Sequence, residues 1–137
     1  MLNRIALFSL VILFAGCETT QERLMDSNEN QMALRQMQTR SFDTTDRKFV
    51  LVSVINTLQD LGFVVESADV DLGTVTATKL DGYALKMTVT ARTRGESQVT
   101  VRANAQYGLR AVNEPEPYQN FFAALSKAMF LEAHSVE

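Results

Sequence analysis

The sequence is poor in residue types that often carry catalysis or bind metals: its 137 residues include one cysteine, one histidine and no tryptophan. The single cysteine, Cys17, excludes an internal disulfide and a cluster of thiolate metal ligands. A Ser–His or Cys–His dyad is also disfavoured, because the lone histidine, His134, lies near the carboxyl end. Without a tryptophan to stack on a sugar, Glu114 and Glu116 are interpreted as residues of a proline-containing loop rather than as a glycosidase acid and base. We therefore predict no catalytic residue, no enzymatic activity and no cofactor.

The sequence also lacks an excess of one charge. Its 13 basic and 16 acidic residues are interspersed, and the formal net charge is -3. Such a chain has no sustained positive field for phosphate backbones, so nucleic acid is not expected as a partner. Glu66, Asp69 and Asp71 carry oxygen atoms that calcium prefers, but they lack the spacing and the later glutamate of an EF-hand loop. We interpret these aspartates as turn residues and predict no metal site.

Long apolar runs are absent except at the amino end. There, Ile5 to Ala15 is apolar apart from Ser9, and Gly16 and Cys17 follow directly. This run is shorter than the ~20 apolar residues that a helix needs to span a bilayer. Together with the positively charged start of the chain, it predicts a signal peptide over residues 1–16 that is cleaved before Cys17.

The segment Leu13-Phe14-Ala15-Gly16-Cys17 resembles the lipobox of bacterial lipoprotein signals, with Phe14 in place of the usual leucine. The resemblance implies cleavage after Gly16, a diacylglycerol on the Cys17 sulfur and an acylated Cys17 amine. Two or three acyl chains would anchor the protein stably, since each buried methylene contributes ~0.8 kcal/mol. In the enteric version of this family, an aspartate after the cysteine retains the protein at the inner membrane. Glu18 at that position therefore implies the outer membrane, facing the periplasm.

Residues 17–36 are predicted to be the lipidated cysteine and a flexible tether. Residues 18–35 are rich in glutamine, glutamate, asparagine and threonine, and their few apolar residues are too scattered to form a strong face. We expect a transient helical turn at most in this segment. Its role would be to let the following domain sit some distance above the lipid.

Residues 37–137 are predicted to form a single α+β domain. Apolar residues recur at helical spacing over 46–61 and 118–133, with N-caps at Thr44 to Asp46 and a helix end at Gly62. Apolar and polar residues alternate or cluster in the strand-like segments 37–42, 63–67, 74–79, 85–92 and 99–106. Asp81-Gly82 is the best hairpin signal. The expected fold is a two-layer sandwich, in which an antiparallel meander of four to five strands carries both helices on its apolar face.

The second predicted helix is rich in aromatic residues. Its apolar stripe is formed by Tyr118, Phe121, Phe122, Leu125, Met129 and the nearby Phe130. We interpret these residues as core, because aromatic residues at helical spacing more often pack inside than line a lipid or peptide groove.

The order strand, helix, meander, helix resembles the helix-grip domains of the BamC lipoprotein from the outer-membrane assembly machinery, over about residues 37–134. Residues 58–63 (LQDLGF) and 130–133 (FLEA) also resemble small proteobacterial lipoproteins. These likenesses imply a fold and a location, and they assign no activity.

Two functions follow as hypotheses. The preferred one is a non-enzymatic accessory or scaffolding protein, held to the membrane by lipid on Cys17, which contacts an envelope protein partner. Its candidate docking surface is the polar sheet face with Lys86, Arg92 and Arg102, although solubility alone would also explain these charges. The alternative is a small-molecule or lipid carrier, with a cavity between helices and sheet lined by Met87, Val89, Phe121 and Phe122.

Overall fold

A computed structural model describes residues 18–135 of the chain. The expected signal peptide and the processing site at Gly16 and Cys17 lie outside the described residues. In chain order, the elements are α1 (Glu18–Met37), β1 (Thr39–Phe42), α2 (Arg47–Asp60), β2 (Val64–Asp69), β3 (Thr74–Asp81), β4 (Tyr83–Arg94), β5 (Gln98–Tyr107), β6 (Arg110–Ala111) and α3 (Pro115–His134). The chain divides into two compact units, with the boundary between Ala33 and Leu34.

Helix α1 is a correction to the expected tether conformation, because its 20 residues are helical throughout. The segment contains neither glycine nor proline and is rich in glutamate, glutamine, leucine, methionine and arginine, which are good helix formers. Its apolar residues do not form one face, and Met25 and Met32 are both exposed. Local propensity, rather than an apolar face, therefore accounts for this helix. None of the described helices is long and apolar enough to cross a membrane.

The second unit is the expected α+β sandwich. Its antiparallel sheet has the order β1-β5-β4-β3-β2, and β6 adds a sixth strand by pairing with the last residues of β5. The sheet thus has slightly more strands than the four to five that the sequence predicted. The extra strand is only two residues long, which is too short to show an alternating pattern.

The register of β4 and β5 places the apolar residues of both strands on one face. Met87 pairs with Ala105, and Val89 pairs with Ala103. All four are buried, whereas the alternate residues of β5, Arg102 and Asn104, point to the other face and are exposed. The sheet therefore has an inner face in the core and an outer face in water, as predicted.

Helices α2 and α3 cover the inner face of the sheet. Asp46 caps α2 by accepting a 2.9 Å hydrogen bond from the Phe49 backbone N–H, and Gly62 follows the helix with a φ of +87°. Helix α3 begins at Pro115, three residues earlier than predicted, because proline fits the first turn of a helix, where its missing N–H costs nothing. Five apolar residues of α3 are fully or nearly fully buried: Tyr118, Phe121, Phe122, Leu125 and Met129.

Phe130 is a correction to the predicted apolar stripe, because its side chain is 62% exposed. One residue of helix turns the side chain by about 100°, which carries Phe130 off the face that Met129 shares with the core. The Phe130 ring instead lies over the ring of His134, with 4.2 Å between their centroids.

A buried hydroxyl ties the sheet edge to helix α3. Tyr118 Oη donates a 2.7 Å hydrogen bond to the Val112 carbonyl and accepts from the Ala105 N–H (3.2 Å) and from Gln38 Nε2 (3.3 Å). The Gln38 carbonyl in turn accepts a 2.8 Å hydrogen bond from the Ala103 N–H. The point at which the chain enters β1 is therefore fixed by both backbone and side chain.

Candidate partner-binding surface

The candidate site lies on the outer face of the sheet, where β4 and β5 run side by side. Arg92 is opposite Thr100, and Arg102 is opposite Thr90. Because these two pairs are consecutive on the same face, Arg92 and Arg102 are diagonal neighbours. The structure thus brings together two of the three residues that the sequence singled out.

Arg94 is the third arginine of this surface. The sequence pattern favours a turn at Arg94, but β4 continues as far as this residue, which lies opposite Gln98. Since side chains alternate along a strand, Arg94 points to the same face as Arg92. The sequence feature that could have placed Arg94 on this face is the uninterrupted alternation that runs from Lys86 through Arg92.

The three arginines surround a shallow depression of about 600 Å³ on the open face of the sheet. Most of the other side chains that line it are short and able to form hydrogen bonds. The complete lining is Thr39, Thr90, Arg92, Thr93, Arg94, Thr100, Arg102 and Asn104. These eight residues together are named the arginine surface.

The guanidinium groups of the arginine surface have no acidic partner. Within the described part of the chain, no carboxylate lies within 4.0 Å of Arg92, Arg94 or Arg102. Asp43, an acidic residue beside this end of the sheet, accepts a 2.7 Å hydrogen bond from Gln98 Nε2. The planar guanidinium group binds carboxylates and phosphates through two parallel hydrogen bonds, so this surface is suited to an anionic group.

Lys86 lies on the same face but away from the arginine surface. It is six residues before Arg92 along β4, which corresponds to about 20 Å of strand. Its Nζ lies 3.3 Å from Glu66 Oε2. A 2.6 Å hydrogen bond from Thr78 Oγ1, followed by the contact with Lys86, holds the pKa of Glu66 below its ordinary value. Lys86 therefore belongs to a separate polar cluster with Glu66 and Thr78.

The residues proposed to line a carrier cavity are mostly in the packed core. Val89, Phe121 and Phe122 have almost no exposed surface. A separate pocket lies at the end of the helix layer, and none of these three residues lines it. That pocket has a volume of about 240 Å³ and includes Met87. Its complete lining is Leu61, Phe63, Lys79, Leu85, Met87, Tyr107, Glu116, Pro117 and Asn120.

The acidic residues weighed as calcium ligands form turn and strand contacts. Asp69 Oδ1 accepts a 2.8 Å hydrogen bond from the Leu72 N–H, and the Asp71 carbonyl accepts one from Arg47 Nη1. Among the described residues, no three histidine, cysteine, aspartate or glutamate side chains are grouped closely enough to hold a metal ion.

The other residues weighed for chemistry lie at the two ends of α3. Glu114 precedes the helix, Glu116 lies in its first turn, and His134 Nδ1 is 2.7 Å from the Phe130 carbonyl oxygen. The structure therefore separates the carboxylates from the histidine by the length of the helix.

No protein-family model matches the chain, and no curated protein matches it in sequence.

Proposed function

We propose that this protein is a lipid-anchored, non-enzymatic accessory of the cell envelope that binds a partner protein through the arginine surface. The anchor would be lipid on Cys17, at the end of the lipobox-like segment, and the location would be the outer membrane facing the periplasm. The observation that carries the binding role is the convergence of Arg92, Arg94 and Arg102 on one depression, with no acidic partner among the residues that the structure describes.

The chemistry of the surface favours an acidic segment of the partner. Each guanidinium can bind one carboxylate with two hydrogen bonds, and Thr90, Thr100 and Asn104 add neutral donors and acceptors between them. Exposed ion pairs contribute only ~0–1 kcal/mol each, but pairs from which an interface excludes water contribute more. We therefore expect binding to depend on several arginines together and to weaken as the salt concentration rises.

Site-specific photo-crosslinking tests the binding role. A photoreactive amino acid at Asn104, which is exposed on the same face as Arg102, is introduced into the full chain in a bacterium that processes lipoproteins. We expect a crosslinked protein that disappears when Arg92→Ala and Arg102→Ala are combined. The matched control combines Lys48→Ala and Lys127→Ala, which removes the same charge from exposed positions on α2 and α3. Equal crosslinking in both double variants would contradict the proposal.

The anchor has its own test. We expect the wild-type mass to correspond to a chain that starts at Cys17 and carries acyl groups, and the protein to fractionate with the outer membrane. Cys17→Ala should remain unprocessed and unacylated. An unmodified wild-type chain would overturn the lipoprotein proposal and leave the arginine surface to be tested separately.

A carrier is the second candidate, because the pocket beside Met87 is open to solvent and combines apolar residues with Lys79, Glu116 and Asn120 in its lining. Its volume of about 240 Å³ is below the range typical of drug-sized ligands, so only a small or partly inserted ligand would fit. Titration with 1-anilinonaphthalene-8-sulfonate tests it. A saturable signal that is lost in Asn120→Phe, which adds a ring at the exposed rim, would support a carrier, and an unchanged or non-saturable signal would exclude this pocket.

A further inference from the structure

Two hairpins end beside each other at one end of the sheet. The β3–β4 hairpin turns at Gly82, and the β5–β6 hairpin turns at Gly108. They are neighbours because the first residues of β4 pair with the last residues of β5, with Leu85 opposite Tyr107. The segments 80–83 and 107–109 are named the hairpin tips.

The hairpin tips expose large apolar side chains. Leu80 is 83% exposed, Tyr83 is 80% exposed, and Leu109 is entirely exposed. Single exposed apolar residues are common on soluble proteins, but several on adjacent tips indicate an interaction surface.

The tips project away from the rest of the domain. A Cβ atom built at Gly82 or at Gly108 would have no neighbouring atom within 4 Å. The rings of Tyr83 and Tyr107 pack edge to face, with 6.5 Å between their centroids, and connect the two hairpins. The apolar feature is therefore convex and braced by an aromatic pair.

We propose that the hairpin tips insert shallowly into the surface of the lipid bilayer, an inference that rests on the proposed anchoring at Cys17. A convex apolar feature needs a surface that can deform around it, which a bilayer provides, whereas a protein partner would need a matching apolar groove. The leucine and tyrosine side chains also fit, and the exposed Asp81 of the same tips would remain among the headgroups. Leucine side chains enter the apolar region, while tyrosine rings lie at the level of the headgroups with their hydroxyls in water.

The direction of the strands supports this orientation. β1 is antiparallel to β5, and Thr39, its first residue, lies opposite Arg102, whereas Phe42, its last, lies opposite Val99. The chain therefore enters β1 from the side of the sheet nearer the tips. It then runs along β1 away from them. Arg94 pairs with Gln98, nine residues before Tyr107 along β5, which places it about 30 Å from the tips. With the tips on the lipid, Arg94 lies at the end of the sheet remote from the membrane.

The absence of tryptophan from the sequence permits a direct test. The full chain is expressed with Leu109→Trp, purified and reconstituted into vesicles of phosphatidylethanolamine and phosphatidylglycerol, with or without bromine on the acyl chains. We expect a blue-shifted emission and about a twofold loss of intensity in brominated vesicles, because shallow insertion brings the ring to the acyl boundary. The matched control is Leu72→Trp, an exposed leucine in the β2–β3 turn at the opposite end of the sheet, which should be neither shifted nor quenched.

The outcomes separate this inference from the proposed anchor. Acylation of Cys17 is read from the intact mass, and tip insertion is read from quenching. Quenching of Leu109→Trp in vesicles supports the inference even if Cys17 proves unmodified. An acylated protein with an unquenched Leu109→Trp overturns the inference and leaves the anchor in place.

Two further results would also overturn the inference. Quenching of Leu72→Trp in place of Leu109→Trp would mean that the opposite end of the sheet faces the lipid. Photo-crosslinking of position 109 to a protein, without quenching by lipid, would mean that the tips bind a protein groove.

Discussion

The backbone N–H of Ala91 donates a 2.8 Å hydrogen bond to the carbonyl oxygen of Gly73, which draws the β2–β3 turn against strand β4. The approach is so close that a Cβ atom at Gly73 would lie 2.4 Å from the Ala91 carbonyl oxygen. Gly73 also has a φ of +69°, which disfavours any residue with a side chain. We expect Gly73→Ala to lower the free energy of unfolding by ~3 kcal/mol or more, because it combines backbone strain with a steric clash. Urea denaturation followed by circular dichroism measures the change.

Gly82→Ala is the matched control. Gly82 has a φ of +76°, but no atom lies within 4 Å of the position that an added Cβ would take, so only the backbone strain applies. The expected loss is ~1–2 kcal/mol. Equal losses in the two alanine variants would show that the close approach to Ala91 does not affect stability.

Tyr118→Phe tests the buried hydroxyl between the sheet edge and α3. The substitution keeps the ring but leaves the Val112 carbonyl and the Gln38 side chain without their partner. We expect a loss of ~1–3 kcal/mol in the free energy of unfolding, since unsatisfied buried polar groups retain their desolvation cost. Tyr83→Phe, at an exposed tyrosine, should change it by less than ~0.5 kcal/mol. A similarly small change in Tyr118→Phe would refute the structural role of this hydroxyl.

Phe121→Ala and Phe130→Ala compare the same substitution on two faces of α3. Phe121 is fully buried against the sheet, whereas Phe130 is largely exposed beside His134. Thermal or urea unfolding should show a loss of ~3–5 kcal/mol for Phe121→Ala. For Phe130→Ala we expect less than ~1 kcal/mol. A larger loss for Phe130→Ala would mean that this ring is covered by a contact in solution.

Because of Glu66, the free energy of unfolding should depend on pH in the acidic range. Its pKa is lowered in the folded state by the Thr78 hydroxyl first and by Lys86 second. The folded state therefore binds a proton less readily than the unfolded state. The resulting stabilisation is present above the unfolded-state pKa and is lost as the pH falls through the folded-state pKa.

A carboxyl-carbon NMR titration of Glu66 measures this effect directly. We expect Thr78→Val to raise the pKa of Glu66 towards its ordinary value, and Lys86→Met to raise it less. In parallel, the stability difference between wild type and Glu66→Gln should shrink as the pH falls. A pKa that does not respond to Thr78→Val would show that the 2.6 Å hydrogen bond is absent in solution.

The sequence predicted the elements whose side chains repeat with a clear period. Helix α2 follows from its apolar spacing between Asp46 and Gly62, and β4 and β5 follow from strict alternation. Helix α1 was missed because its apolar residues form no face, and periodicity is informative only where one face is buried. Strand β6 was missed because Arg110 and Ala111 are too few to alternate.

The candidate site was predictable in part. Alternation placed Arg92 and Arg102 on the polar face, but their diagonal arrangement depends on the register, which the β4–β5 turn sets. The pairing of Lys86 with Glu66 depends on an irregularity of β2 between Val65 and Ser67, which shifts the register locally. Such a shift has no distinctive residue pattern. The sequence analysis therefore placed Lys86 on the same candidate surface as Arg92 and Arg102.

The fixed entry into β1 has a mechanical consequence. In the proposed arrangement, an anchor before β1 and a partner on β4 and β5 would place the domain under tension between Gln38 and those strands. Because β1 lies alongside β5 in antiparallel register, force along β1 loads the hydrogen bonds between Thr39–Phe42 and Val99–Arg102 in shear. Bonds loaded in shear must stretch together before any of them breaks, so a short strand at the sheet edge resists a pull directed along β1.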